Sequence, residues 1–256
     1  MAVSIIAIGM GAPMADMFMR EVRATVAGPI LLIRFGSCGG VGEKAAIGCV
    51  SVAKQGAVMV SRAYDYFQYT YGKDEARHSH TNSATGSDMD VTVDQSTTIP
   101  ITEPLRPYNV SKVCPADEQL SDALIHNLSR LLGVEKVITG VNVTADSFYS
   151  SQGRMDIAFE DTNADLIQNV RKTVPNCETF EMETFILLHL AKCATYRALQ
   201  NTQNMGPPLG TVRAAACAMV FANRKHEGGF IDQETINLLE DKGGLAVLDS
   251  ITSCSL

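Results

Sequence analysis

The chain has no tryptophan, and aromatic residues make up only 6% of its 256 positions. Its seven cysteines, at positions 38, 49, 114, 177, 193, 217 and 254, include no CxxC pair. Several lie in apolar stretches, so reduced, buried thiols are expected rather than a disulfide framework. The five histidines never cluster with cysteines, which removes the usual zinc ligand sets. His78 and His80 are close in sequence, but in a polar stretch where simple exposure is the plainer reading. No resident metal is expected. Positive charge is also short: 21 Lys and Arg stand against 28 Asp and Glu, for a net charge of -7. Such a balance excludes broad, non-specific nucleic-acid binding. It leaves room for a small anionic substrate, which needs only a local positive site. Long apolar runs are missing as well. MAVSIIAI (1–8) is too short to span a membrane, stops at Gly9 and lacks a basic n-region. A cytoplasmic chain with no membrane partner is expected. Its sequons at Asn109, Asn127 and Asn142 would then remain unmodified.

What is present is alternation. VSIIAIG reads as a buried strand ended by Gly9, and GMGAPM as a tight turn. MADMFMREVRATV has helical spacing. PILLIRFG reads as a second strand and SCGGVGEK as a glycine-rich turn. Short β-branched runs over 47–62 suggest further strands. Residues 68–104 are polar and poor in long apolar side chains, as expected of a loop insertion in one domain spanning 1–256. Asp117 to Leu132 reads as a helix with acids at its start, and VEKVITGVNVT as a strand. Residues 162–171 look helical, and EMETFILLHLAKCATYRALQ (181–200) reads as a long amphipathic helix. VRAAACAMVFAN is an apolar strand. DQETINLLEDKGGLAVLDSI is a helix, interrupted at Gly243–Gly244. Strand, turn and helix in this order favour an α/β domain with a largely parallel sheet.

Ligands of open α/β sheets collect beyond the strand ends. Gly9-Met10-Gly11 could bring backbone close to a ligand, or could be an ordinary tight turn. Arg34 lies inside the apolar run ILLIRF, where a charge is costly unless paired or facing a polar site. With Ser37 and nearby backbone amides it could bind an oxyanion; equally, it could sit in an internal salt bridge. TADSFYSSQGRMD (144–156) joins an aromatic face, Phe148 and Tyr149, to a polar fork, Gln152 and Arg154. A flat polar ring would suit both, while a surface loop with one half-buried Phe would look the same. In FEMETF (180–185), Glu181 could complement a helix dipole. Glu183 precedes FILLHL and could point inward, to accept sugar hydroxyls. Asn223-Arg224 either opens a loop or adds a fifth contributor.

In this order, IRFGSCGG, GVNVTADSFYSSQGR and FEMET resemble the nucleoside phosphorylase family of the uridine phosphorylase type. The resemblance runs from about Ser4 to Asn223 and is nearest the longer trypanosomatid members. It implies a three-layer α/β/α sandwich around a mixed, partly barrel-like sheet. It also implies phosphorolysis of uridine to uracil and ribose 1-phosphate in pyrimidine salvage, with inorganic phosphate as co-substrate and no cofactor. Carried over, Gly11, Arg34 and Ser37 would meet phosphate. Phe148 would pack on the nucleoside, and Gln152 and Arg154 would read the uracil edge. Met182 and Glu183 would lie against the ribose, and Arg224 would support Arg154 or a water. Arg34, Arg154 and Glu183 would carry catalysis. Asn223 stands where the purine-specific branch has an aspartate, which favours pyrimidine over the rival purine nucleoside phosphorylase reading.

The resemblance also implies a homodimer, with methionines of GAPMADMFM as candidate contacts and the 68–104 insertion blocking a hexameric ring. A serine that holds an inter-subunit cation in some relatives is matched here by Met14. The family pattern places a GDPxR phosphate loop and a ribose-side histidine ahead of Gly9, where this sequence has only Met1 to Ile8. A shortened or impaired enzyme, or a nucleoside-binding relative without activity, is therefore the competing expectation.

Overall fold

The computed structural model describes residues 2–67, 106–200, 209–224 and 229–255. The expected insertion at 68–104 lies outside the described residues. In chain order the elements are α1 (Ala12–Thr25), β1 (Gly28–Gly40), β2 (Val50–Val52), β3 (Ala57–Arg62), β4 (Tyr108–Val110) and α2 (Glu118–Leu132). There follow β5 (Val137–Thr139), β6 (Val141–Ala145), α3 (Leu166–Thr173), β7 (Cys177–Glu181), α4 (Thr184–Gln200), β8 (Leu209–Asn223) and α5 (Gln233–Ser253).

The strands form one eight-stranded sheet in the order β4-β3-β6-β7-β1-β8-β2-β5. It is mixed. β1 runs parallel to β8 but antiparallel to β7, and β8 runs antiparallel to β2. β1 and β8 sit at its centre and are apolar on both faces. Their alternate residues therefore serve two cores. Leu31, Ile33 and Phe35 pack with Ala215, Cys217 and Met219 against Leu120, Leu124 and Leu128 of α2 and Leu239 and Ala246 of α5. Leu32, Val212 and Ala214 turn to the other side, against Ala15 and Met19 of α1 and Leu187, Leu188 and Ala191 of α4. The three-layer α/β/α arrangement with a mixed sheet follows from this two-sided burial. Each fully buried Leu contributes about 1.5–3 kcal/mol.

Capping sets where the helices start. Asp117 accepts a hydrogen bond from the Leu120 amide at 3.0 Å, and Asp232 accepts from the Thr235 amide at 2.8 Å. Asp117 is also gripped by Arg213 through two bonds of 2.8 and 2.9 Å, and this holds its carboxyl below the ordinary range. No helix among the described residues is long and apolar enough to cross a membrane. Five cysteines are buried and free, but Cys193 is exposed and Cys254 half-buried. Asn127 and Asn142, two of the three sequon asparagines, are buried.

Five expectations need correction. VSIIAIG forms no strand: no described strand lies beside it, and Ile5 is 84% exposed. SCGG is not a turn, because β1 continues through Gly40, paired to β8 along its length. VEKVITGVNVT breaks at Gly140 into β5 and β6, which pair with different partners, β2 on one side and β3 and β7 on the other. The segment read as a helix from Glu181 begins only at Thr184, preceded by the unforeseen strand β7. α5 runs unbroken through Gly243-Gly244. A Cβ at Gly243 would lie 2.7 Å from Phe35 Cζ, so this glycine lets the helix close onto β1 instead of ending it.

Candidate active site

Two groups of polar side chains gather where β1, β6, β7 and β8 lie side by side. The first surrounds Arg34. From β1, its Nη2 donates to Glu183 Oε2 and lies 3.1 Å from Glu181 Oε2. All three side chains are at most 10% exposed. Glu181, the last residue of β7, is fully engaged. Its Oε1 accepts from Asn142 Nδ2 and Thr144 Oγ1, each at 2.6 Å, and its Oε2 accepts from the amides of Glu183 and Thr184 at 2.8 and 2.9 Å. The dipole role considered for Glu181 is thus real, since it satisfies two orphan amides at the start of α4. Burial alone would raise its pKa, but Arg34, Thr144 and the two amides overcome this and hold it below the usual carboxylate range. Burial likewise opposes the charge on Arg34. Glu181 and Glu183 outweigh it, and the guanidinium is held above its ordinary value.

Glu183 links this cluster to the glycine turn. Its Oε1 accepts the Gly11 amide at 2.6 Å, where Gly11 has φ +102° and begins α1. A Cβ at Gly11 would lie 3.8 Å from Met182 Cε, so the turn abuts Met182. The guanidinium is only partly used. Arg34 Nη1 is buried and has no hydrogen-bond partner among the described residues. A buried donor left this way costs about 1–3 kcal/mol, which an anion would recover. Of the two readings weighed for Arg34, the internal ion pair is present, and Nη1 is the one guanidinium donor left over for the other. Ser37, three residues along the strand, is exposed and joins the cluster through no hydrogen bond among the described residues.

The second group is the fork. After β6 the chain turns sharply, with Gly153 at φ +66°. Gln152 is 3% exposed, and its Oε1 accepts from Arg154 Nη1 and, at 3.0 Å, from Arg224 Nη2. Arg224 Nη1 also donates to the Gln152 carbonyl, so this arginine grips Gln152 rather than Arg154. Arg154 Nη1 donates to the Phe148 carbonyl at 2.6 Å, and its guanidinium lies 3.9 Å from the centre of the Phe148 ring. Phe148 itself is 41% exposed. Burial lowers the Arg154 pKa, and burial together with Arg154 pushes Arg224 down to about 10. The Gln152 oxygen is thus committed to two cations, which leaves its amide nitrogen as the side chain's remaining polar group, a donor.

Arg224 ties the fork to the sheet. Its amide donates to the Gly40 carbonyl at the end of β1, and its guanidinium is 6.0 Å from the ring of Phe180, which lies on the face of β7 opposite to Glu181. Every residue expected at the site falls in one group or the other, apart from the unconnected Ser37. Glu181, Asn142 and Thr144 were not anticipated as partners of Arg34. A signal existed: Asn142 and Thr144 alternate in VNVTA, a strand buried along its whole length, and such a polar pair demands a partner. Among the described residues no three His, Cys, Asp or Glu side chains gather to hold a metal.

This fold belongs to a known family. The model of the phosphorylase superfamily matches residues 1–200, and the chain is a member of that family. Among solved structures, one from a study of two uridine phosphorylases in the oomycete Phytophthora capsici is 32% identical with a TM-score of 0.73. That match covers 98% of this chain and 74% of the other. A Trypanosoma brucei nucleoside phosphorylase, described as showing uridine phosphorylase activity, is 15% identical at TM-score 0.61, covering 97% of this chain and 79% of the other. Isoform 2 of uridine phosphorylase from Schistosoma mansoni is 14% identical at TM-score 0.56, with 96% and 68% covered. At that identity the last two speak for the fold alone. No curated protein matches the chain.

Proposed function

We propose that this chain catalyses the reversible phosphorolysis of uridine to uracil and ribose 1-phosphate, a step of pyrimidine salvage. The observation that carries the reading is Arg34: buried, held by two carboxylates on one side, and left with an Nη1 that has no partner among the described residues. A phosphate beside it, with Gly11 and Ser37 at the margins, would stand next to Met182 and Glu183, the proposed ribose contacts. A phosphate oxygen attacks the anomeric carbon while the electron pair of the glycosidic bond leaves with the base. The sugar becomes transiently positive and the uracil negative. Phosphate stabilises the first, and the Arg154 and Arg224 charges around Gln152 stabilise the second. Phe148 packs on the base, and orientation replaces a strong side-chain acid.

The base-side chemistry favours a pyrimidine. Asn223 is buried and donates to the Ala45 carbonyl at 2.6 Å. A neutral amide used in this way does not deliver a proton to a purine ring nitrogen. Homology with the oomycete enzyme points the same way.

Assembly as a homodimer is part of the proposal. Met10, Met14 and Met17 around the start of α1 are 68%, 39% and 49% exposed, whereas Met19 packs in the core. Light scattering that finds a monomer of 27.6 kDa would remove the dimer from the reading. The reaction itself is tested by following uracil release from uridine with and without phosphate, beside hypoxanthine release from inosine. Phosphate-dependent uracil release faster than the inosine reaction is expected. Uridine binding without uracil release would make the chain a binding module, and faster inosine cleavage would make it a purine enzyme.

A further inference from the structure

The fork that carries Gln152 and Arg154 is not closed by its own backbone. Its internal backbone hydrogen bonds run from the Gln152 and Arg154 amides to the Tyr149 carbonyl, at 3.3 and 3.0 Å, and from the Gly153 amide to the Ser150 carbonyl at 3.0 Å. The Arg154 carbonyl accepts none of them. A residue nine positions further on supplies the closure. Asn163 is 4% exposed, and its Nδ2 donates to the Ser150 carbonyl and to the Arg154 carbonyl, both at 3.0 Å. One amide thus joins the two ends of the turn, and both of its hydrogens are used.

The segment that delivers this amide is itself braced. Thr162, just before it, has φ +46°, one of two positive φ values at non-glycine positions among the described residues. Such a conformation persists only where its surroundings hold it. Glu160 Oε1 accepts from the Thr162 amide at 3.1 Å and from its hydroxyl at 2.8 Å. Arg62, at the end of β3, pairs with Asp161 and donates to the Glu160 carbonyl at 2.9 Å, while Tyr108 donates to the Asp161 carbonyl at 2.6 Å. The same Arg62 offers its backbone amide to Asp146 Oδ2 at 3.0 Å, and Asp146 Oδ1 accepts the Ser151 hydroxyl. The end of β3 therefore anchors both the fork and the segment that clasps it.

We infer that Asn163 is a positioning residue for base recognition: its amide fixes the turn so that Gln152 and Arg154 address the nucleoside base together. The inference rests on the phosphorolysis reading. Asn163 touches no substrate and acts through the carbonyls at the two ends of the turn. A carboxylate of the same size at this position would supply no donor and would face two carbonyl oxygens.

The test uses the full chain with Asn163→Ala, Asn163→Asp and Asn163→Ser, read by KM for uridine, KM for phosphate, kcat and melting temperature. Losing two buried hydrogen bonds should raise the uridine KM roughly tenfold in the alanine variant, with the phosphate KM unchanged. Asn163→Asp should be at least as impaired although it keeps the volume, and Asn163→Ser, which retains one donor, should fall between. If the alanine variant does not fold, the serine variant carries the same criterion. An unchanged uridine KM, or a phosphate KM that rises in step with it, would overturn the inference in favour of a purely structural role. Should the parent release no uracil, the reaction reading falls on its own. Hydrogen exchange of the 149–154 segment then decides: roughly tenfold faster exchange in Asn163→Ala supports the clamp, and unchanged exchange refutes it.

Discussion

The Arg34 cluster and the Gln152 fork are built on opposite electrostatic plans. Around Arg34 one buried cation faces two carboxylates, and nearly every oxygen is committed to an amide, a hydroxyl or the guanidinium. Around Gln152 two cations share one neutral amide, and among the described residues their side-chain donors reach only carbonyl oxygens. The first plan lies on β1, the end of β7 and the approach to α4, and carries one more negative charge than positive. The second lies on a turn and leaves an excess of positive charge where a departing base would become negative. The difference separates two kinds of loss: losses in the cluster should weaken the fold together with the reaction, and losses in the fork should slow the reaction and leave the fold standing.

The largest effect expected is therefore on folding. Glu181→Ala leaves Arg34 short of a partner and strips acceptors from Asn142, Thr144 and two amides, so it should cost about 3–5 kcal/mol in urea unfolding. This contribution has a pH signature. A carboxyl held below its unfolded value stabilises fully above that value, about 4.3, and the benefit is lost as pH falls through the lower folded pKa. The advantage of the parent over Glu181→Gln should accordingly shrink on acidification into that range. A constant gap would show that the charge on Glu181 is irrelevant to stability.

Next in size, Arg154→Ala should cost about 2–4 kcal/mol of transition-state stabilisation in kcat/KM for uridine. Its unfolding midpoint should barely move, since the side chain is half-exposed and leaves no core cavity. Unfolding on the scale of Glu181→Ala would erase the contrast between the two groups. Smallest of all, Gly244→Ala places a Cβ in open space on a half-buried helix position and should raise stability by about 0.5–1 kcal/mol. Gly243→Ala, which meets Phe35, should lower it by thermal melting.

The helices were legible where side-chain period and caps agreed. Asp117 and Asp232 stand directly ahead of apolar periodic runs, and both cap as their types suggest. The central strands were legible as apolar runs, but their ends were not. Gly39 and Gly40 read as a turn because glycine usually punctuates. Here both remain in β1, and at Gly40 bulk would be refused: a Cβ would lie 2.6 Å from the Ala45 carbonyl oxygen. β7 was missed because Glu178, Thr179 and Glu181 make it look polar, though all three are buried with partners on neighbouring segments. The candidate site was largely visible as residue types. What sequence could not show was the pairing: that Glu183 would reach both Gly11 and Arg34, or that Asn163 would close the fork. Those contacts depend on strand order, which no local pattern encodes.

The division of labour is tested most directly by titrating phosphate and uridine separately against the parent and Arg154→Ala, following uracil release. The account predicts an unchanged phosphate KM, with the whole loss falling on uridine KM and kcat. A phosphate KM that rises as far as the uridine KM would show that the fork and the Arg34 cluster act as one site, and would contradict it.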